Sequence, residues 1–92
     1  MNDVERLRRA EQARAILESP VFIEAWETYD EKLISIIRGS KRGEVEIREQ
    51  AKALLDAAIA ARKHLEMLLQ EGHVVAETIK LDQERKKRWG II

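Results

Sequence analysis

Two histidines and two nearby glutamates are the side chains of this sequence best suited to chemistry. His64 and His73 lie nine positions apart, and Glu66 and Glu71 lie between them. Imidazole and carboxylate groups ligate divalent cations, but helical metal sites use His-x-x-x-His or Glu-x-x-His spacing, and neither occurs here. The sequence therefore predicts no metal site and no cofactor, and we expect both histidines on a surface or in an interface.

The hydroxyl side chains do not predict a nucleophile. Nucleophilic catalysis needs a base beside the hydroxyl group, and local helical spacing places neither histidine there. The sequence has no glycine-rich phosphate loop following a strand, and it has no cysteine for a disulfide or a thiolate metal site. We therefore expect a protein that is not an enzyme. The hydroxyl residues are Ser19, Thr28, Tyr29, Ser35, Ser40 and Thr78.

A long helix over about 44–71 is the element around which the other segments are organised. The segment is rich in strong helix formers, and neither proline nor glycine interrupts it. Its apolar residues recur at alternating steps of four and three, which predicts a heptad seam facing a neighbouring helix. We expect Gly72 to end this helix. The predicted seam is Ile47, Ala51, Leu54, Ala58, Ala61, Leu65 and Leu68.

Ser19 and Pro20 separate two further helices. Proline disfavours helical geometry in the residue before it, and serine is a good N-cap. A first helix is therefore predicted over about 3–18, with Asn2 or Asp3 as its N-cap, and a second over about 20–38, ending at Gly39. The second helix carries its own apolar series, in which the aromatic residues are expected in the core: Phe22, Trp26, Tyr29, Leu33 and Ile36.

The short turn over 39–43 makes the second helix and the long helix antiparallel. We predict an all-α fold built on this helical hairpin (about 20–38 and 44–71). Either the first helix or a partner subunit is expected to cover the part of the long helix that extends past the second. Residues 1–75 would form one helical domain, followed by a loosely attached C-terminal helix and tail over 76–92.

The long helix has more apolar surface than one neighbour needs. The simplest second contact for so short a chain is another copy of itself, so we predict a homo-oligomer. The predicted interface residues are Leu55, Ile59, Ala60, Arg62 and Leu69.

The charge balance argues against a surface that binds DNA throughout. Lys and Arg number 17, as do Asp and Glu, so only weak, salt-sensitive nucleic-acid contacts are expected. For the arginines of the first helix, the alternative is a solvated face paired with glutamates. No apolar run approaches 18 residues, and a soluble, cytoplasmic protein without membrane contact is expected. The candidate phosphate contacts are Arg8, Arg9, Lys41 and Arg42.

The end of the chain combines basic and apolar residues. A tryptophan and two isoleucines follow four consecutive cations, which favours docking into another protein, with the indole as anchor and the charges steering the encounter. The alternative is a tail that packs on its own helices or is disordered. The docking residues would be Arg85, Lys86, Lys87, Arg88, Trp89, Ile91 and Ile92.

Two segments resemble small all-helical proteins of tailed bacteriophages and related gene-transfer particles. Ala15–Ala25 (AILESPVFIEA) is similar to their leucine–proline–phenylalanine entry, and Arg62–Gly72 (RKHLEMLLQEG) to an Arg-x-x-Leu helix that ends in glycine. Some of these proteins are small terminase subunits. Residues 2–18 depart from that pattern, because they form a single helix where many small terminases carry a helix-turn-helix module.

The resemblance implies a non-catalytic oligomer that recruits DNA to a packaging motor. Its helical core would be the oligomerisation element, and its C-terminal segment would engage the large, ATP-hydrolysing terminase subunit, in the cytoplasm of the host cell. Two other functions stay open from the residues themselves. One is a small regulatory or inhibitory protein that binds a single host or phage protein, and the other is a structural head or connector component.

Overall fold

The computed structural model describes residues 2–88, and within this range the regular structure is entirely α-helical. Helix α1 spans Asp3–Leu17, α2 spans Pro20–Gly39 and α3 spans Val45–Arg88. The predicted all-α class is therefore confirmed. The described residues divide into two compact units, 16–64 and 2–15 with 65–88.

The unit formed by residues 16–64 is a helical hairpin of α2 and the first part of α3. Ser19 is the N-cap of α2, where its Oγ accepts a hydrogen bond from the Phe22 amide at 3.4 Å, and Pro20 occupies the first helical position. Helix α2 ends at Gly39, as the sequence predicted. Ser40 then donates its hydroxyl to the Ile37 carbonyl at 2.7 Å, which satisfies a carbonyl of the last turn.

The side chains of Glu44, just before α3, and of Arg48 in its first turn hold the turn between the two helices. The Lys41 amide donates to a carboxylate oxygen of Glu44 at 2.8 Å. Arg48, one turn further along, donates from Nη1 to the Ser40 hydroxyl oxygen at 3.0 Å and to the Lys41 carbonyl oxygen at 3.4 Å. These bonds satisfy polar groups of the turn and fix where α3 begins relative to α2.

The helices of the hairpin meet along a seam that matches the predicted one in part. Leu33 of α2 and Ala51 and Ala58 of α3 are buried. Half-buried side chains continue the seam on both helices. They are Phe22, Trp26, Asp30 and Ile37 on α2, and Arg48, Leu55, Ile59 and Arg62 on α3.

Five residues of the predicted seams are instead exposed, so that part of the prediction is wrong. At each of these five positions the residue one position further along the chain lies in the seam instead, and three of those replacements are the charged residues Asp30, Arg48 and Arg62. Alanines allow close approach there, and Arg48 and Arg62 can bury their aliphatic stems while the guanidinium groups reach the edge. The exposed residues are Tyr29, Ile36, Ile47, Leu54 and Ala61.

The unit formed by residues 2–15 and 65–88 packs α1 against the later part of α3. Asn2 is the N-cap of α1, because its Oδ1 accepts from the Glu5 amide at 2.9 Å. Ala10 and Ala13 are buried on α1, and Gly72 and Val75 are buried on α3. The first helix thus covers the C-terminal part of the long helix, as one of the two sequence alternatives expected.

Gly72 does not end the long helix, which corrects the prediction. Helix α3 runs without interruption for 44 residues, so residues 76–88 belong to it and do not form a separate helix. A glycine in a helix interior costs only about 1 kcal/mol relative to alanine. Here its missing side chain lets α1 approach, since a Cβ at position 72 would overlap the Ala10 side chain.

Candidate interaction surfaces

The hairpin formed by residues 16–64 carries an apolar surface on one side, here called the hairpin face. It consists of Tyr29 and Ile36 on α2 and Ile47, Leu54 and Ala61 on α3. Their exposed fractions are 41% for Tyr29, 38% for Ile36, 47% for Ile47 and 50% for Leu54. Large apolar side chains grouped at such exposure mark an interaction surface more often than isolated ones do.

Helical geometry places the two stripes of this face on the same side. Each helix turns by about 100° per residue, and Ile36 and Leu54 each precede a seam residue, Ile37 and Leu55, by one position. Two antiparallel helices are related by a two-fold axis perpendicular to their common plane. Residues displaced from the seam in the same rotational sense therefore lie on the same side of the hairpin.

Charged residues avoid this side. Lys32 and Glu46 lie at its two edges, whereas the other exposed charges of the hairpin lie mostly on the opposite side by the same rotation of about 100° per residue. The hairpin face therefore carries fewer charges than the opposite side, where Ile23, Ile34 and Val45 are also exposed but lie among charged residues. The charged residues on the opposite side include Glu24, Glu27, Glu31, Arg38, Glu49, Lys52, Asp56 and Lys63.

Trp26 lies in the seam and not on the hairpin face. Its ring stacks on Phe22 with centroids 5.6 Å apart, and the Arg62 guanidinium lies 5.2 Å from the Trp26 ring centroid. The Trp26 Nε1 and Asp30 Oδ1 atoms are buried and have no hydrogen-bond partner among the described residues. Trp26 is thus half-buried in the seam, on the side where the sequence predicted it, whereas Tyr29, also predicted in the core, is exposed.

The residues predicted as an oligomer interface lie mainly in packing within the chain. Leu55, Ile59, Arg62 and Leu69 are half-buried, and Ala60 is exposed. As a subunit interface this set stays a prediction. The residues that sequence periodicity had assigned to the core and that the hairpin leaves uncovered are those of the hairpin face.

The basic residues predicted to contact phosphate or a partner protein are exposed wherever the structure describes them. Arg8 and Arg9 lie on α1, and Lys41 and Arg42 lie in the turn after α2. The last turn of α3 carries four consecutive cations, Arg85–Arg88, where positive charge offsets the negative end of the helix dipole. Trp89, Ile91 and Ile92, the apolar part of the predicted docking segment, lie outside the described residues.

A second apolar surface lies in the unit formed by residues 2–15 and 65–88. An open cleft of about 550 Å³ lies beside the contact of α1 with α3, lined by Arg6 of α1 and by residues of α3, among which Val74 is 55% exposed. Charged groups lie beside the apolar ones in this cleft, in contrast to the hairpin face. Its lining residues are Arg6, Met67, Gln70, Glu71, Val74 and Val75.

The histidines do not form a cluster with acidic side chains. His64 and His73 are both exposed, and residues 2–88 contain no group of three His, Asp or Glu side chains that could hold a metal ion. No helix in the same range is long and apolar enough to cross a lipid bilayer. Comparison of the chain with protein-family models, curated proteins and solved structures finds no match.

Proposed function

We propose that this protein is a non-catalytic, self-associating helical adaptor. The observation that supports this most strongly is the imbalance between buried and exposed apolar side chains. Among residues 2–88, the buried apolar side chains are four alanines, Leu33 and Val75, whereas fourteen larger apolar side chains are exposed. Full burial of one such side chain contributes about 1.5–3 kcal/mol. A second copy of the chain would supply much of the burial that a single chain lacks.

The end of α3 is the part of the adaptor that we propose to engage a different partner. Residues 76–88 are all exposed, and the four cations Arg85–Arg88 close the helix. A basic helix end speeds the encounter with an acidic protein surface or with nucleic acid. Self-association would multiply these ends and raise avidity without new contacts.

The sequence resemblance supplies the most specific setting for such an adaptor. We propose a role similar to that of a small terminase subunit in phage DNA packaging or assembly, recruiting DNA, the large terminase or both. With a formal net charge of zero, DNA binding is expected to be weak, independent of sequence and lost between about 50 and 200 mM salt.

Light scattering combined with DNA binding tests this function. We expect a mass of at least two chains, and weak retention of duplex DNA at low salt. Lys86→Gln with Lys87→Gln should reduce DNA retention at unchanged mass, whereas Lys52→Gln with Lys63→Gln, which removes two exposed lysines elsewhere on α3, should reduce it much less. A monomer at all concentrations would contradict the adaptor and favour a regulatory protein that binds one partner. An oligomer that binds no DNA at low salt would favour protein recruitment or a structural component.

A further inference from the structure

We infer that the hairpin face is the contact between two copies of this chain, which pair about a two-fold axis as a four-helix bundle. This inference rests on the proposed self-association and specifies its surface and its symmetry. Four of the five side chains of the face are large and apolar, and each of these four is at least 38% exposed.

The stripes of the two helices lie at matching heights along the hairpin. Arg62 lies over Trp26, and Arg48 bonds to Ser40. Each contact pairs a residue of α3 with one on the α2 side at the same height, and the two residue numbers add up to the same value in both pairs. Because arginine side chains in helices lean toward the helix N-terminus, Cα atoms that lie at the same height have residue numbers that add up to a slightly smaller value. Tyr29 then lies within about one turn of Leu54, and Ile36 within about one turn of Ile47. The face is therefore one continuous surface across both helices.

The side of the hairpin that carries the face is large enough for a stable dimer interface. Helix α2 has 20 residues, which corresponds to about 30 Å at about 1.5 Å per residue, and two adjacent helices are about 20 Å wide. The flat projection of this whole side is thus about 600 Å². A standard interface buries about 800 Å² of accessible surface per partner. Because the accessible surface of ridged helices exceeds their flat projection, the side of the hairpin that carries the face reaches that range.

The spacing of the apolar residues in the hairpin face suits packing against a second copy of the chain. Tyr29 and Ile36 are seven residues apart, as are Ile47 and Leu54, and this heptad spacing is the one that helices use to interdigitate in bundles. A two-fold contact uses the same patch on both subunits, so pairing covers the face on both chains. The expected species is a dimer, or a larger assembly with an even number of chains.

A matched pair of isoleucines on α2 tests this inference. Ile36 is 38% exposed and Ile34 is 37% exposed, but they lie on opposite flanks of the seam. In sedimentation equilibrium, Ile36→Glu should raise the dimer dissociation constant by about 100-fold or more, because it places an unpaired carboxylate in an apolar contact. Ile34→Glu should change it by no more than about 3-fold. Circular dichroism should show both variants as helical as the wild type, since each replaced side chain is already exposed.

Cysteine cross-linking provides a second test, and it does not depend on weakening the contact. The chain has no cysteine, so Leu54→Cys and Val45→Cys each introduce one thiol, at positions that are 50% and 51% exposed. Mild oxidation should couple Leu54→Cys into covalent dimers at least about 10-fold faster than Val45→Cys, which lies on the other flank.

The outcomes separate this inference from the proposed function. A monomeric wild type at all concentrations would overturn both. Three results would contradict the hairpin face as the contact surface without contradicting self-association. They are a wild-type oligomer that Ile36→Glu leaves intact, one that Ile34→Glu dissociates equally, and one that contains an odd number of chains. Dissociation by Ile36→Glu alone, with preferential cross-linking at position 54, would establish the face.

Discussion

Gly72 of α3 lies directly against Ala10 of α1. A Cβ atom at position 72 would overlap the Ala10 side chain and lie 3.6 Å from the Ala10 Cα and from the Arg6 carbonyl oxygen. The backbones of the two helices can approach this closely only because position 72 has no side chain. The glycine thus stabilises packing inside a continuous helix, where sequence alone suggests a terminator.

The first prediction is that Gly72→Ala destabilises the protein. Alanine improves helix propensity by about 1 kcal/mol, but overpacking against Ala10 costs about 1–3 kcal/mol. We expect a net loss of unfolding free energy in urea denaturation at fixed protein concentration. Gly39→Ala is the control, because a Cβ there meets nothing within 4 Å. If Gly72→Ala raised the unfolding free energy as much as the same substitution at an uncrowded glycine does, α1 would not pack at position 72.

The second prediction concerns the start of α2. Ser19→Ala removes the hydroxyl oxygen that accepts from the Phe22 amide, and the loss of an N-cap costs about 1 kcal/mol. Thermal and urea denaturation should show this decrease. Ser35→Ala, at an exposed interior position of the same helix, should be neutral or slightly stabilising. Equal effects at both positions would argue against the cap.

The third prediction concerns the contact between Arg62 and Trp26. Arg62→Gln should lower the unfolding free energy by about 1 kcal/mol, because it removes a cation held over the indole ring together with part of a packed stem. In a Trp89→Phe background it should also change the fluorescence of Trp26. Lys63→Gln replaces the neighbouring exposed cation and should do neither. If the two variants behave alike, Arg62 does not contribute through the ring.

The fourth prediction concerns Asp30, whose buried Oδ1 has no hydrogen-bond partner among the described residues. A polar atom left in this state costs about 1–3 kcal/mol. Asp30→Leu should therefore raise the unfolding free energy by about 1 kcal/mol or more. Glu31→Leu, at the next and exposed position, should have little effect. A destabilising Asp30→Leu would mean that the carboxylate has a partner in solution.

Helix periodicity predicted the helices well and their facing sides poorly, for a physical reason. Ser19, Pro20 and Gly39 act through local backbone geometry, so the boundaries of α2 could be predicted from neighbouring residues alone. The choice between Leu54 and Leu55 for the seam depends on the partner helix, and both belong to stripes of the same period. Sequence periodicity alone does not distinguish a stripe packed within the chain from one available to another copy.

The same limit applies to Gly72 and to the candidate interface. A mid-helix glycine and a terminating glycine look alike in sequence, and only the position of Ala10 on α1 distinguishes them. The predicted interface included Leu55 and Arg62 because they lay beside the assumed seam. Once that seam moves by one position, these residues face inward and Ile47 and Leu54 become the uncovered ones.

Thermal melting measured across protein concentration, together with sedimentation equilibrium, tests the central claim of self-association most directly. If association of folded chains stabilises the native state, Tm must rise with concentration, because mass action favours the bound form. We expect Tm to increase by several degrees between about 5 μM and 500 μM, with a mass of at least two chains at the upper end. A Tm independent of concentration, with the mass of one chain throughout, would contradict the account.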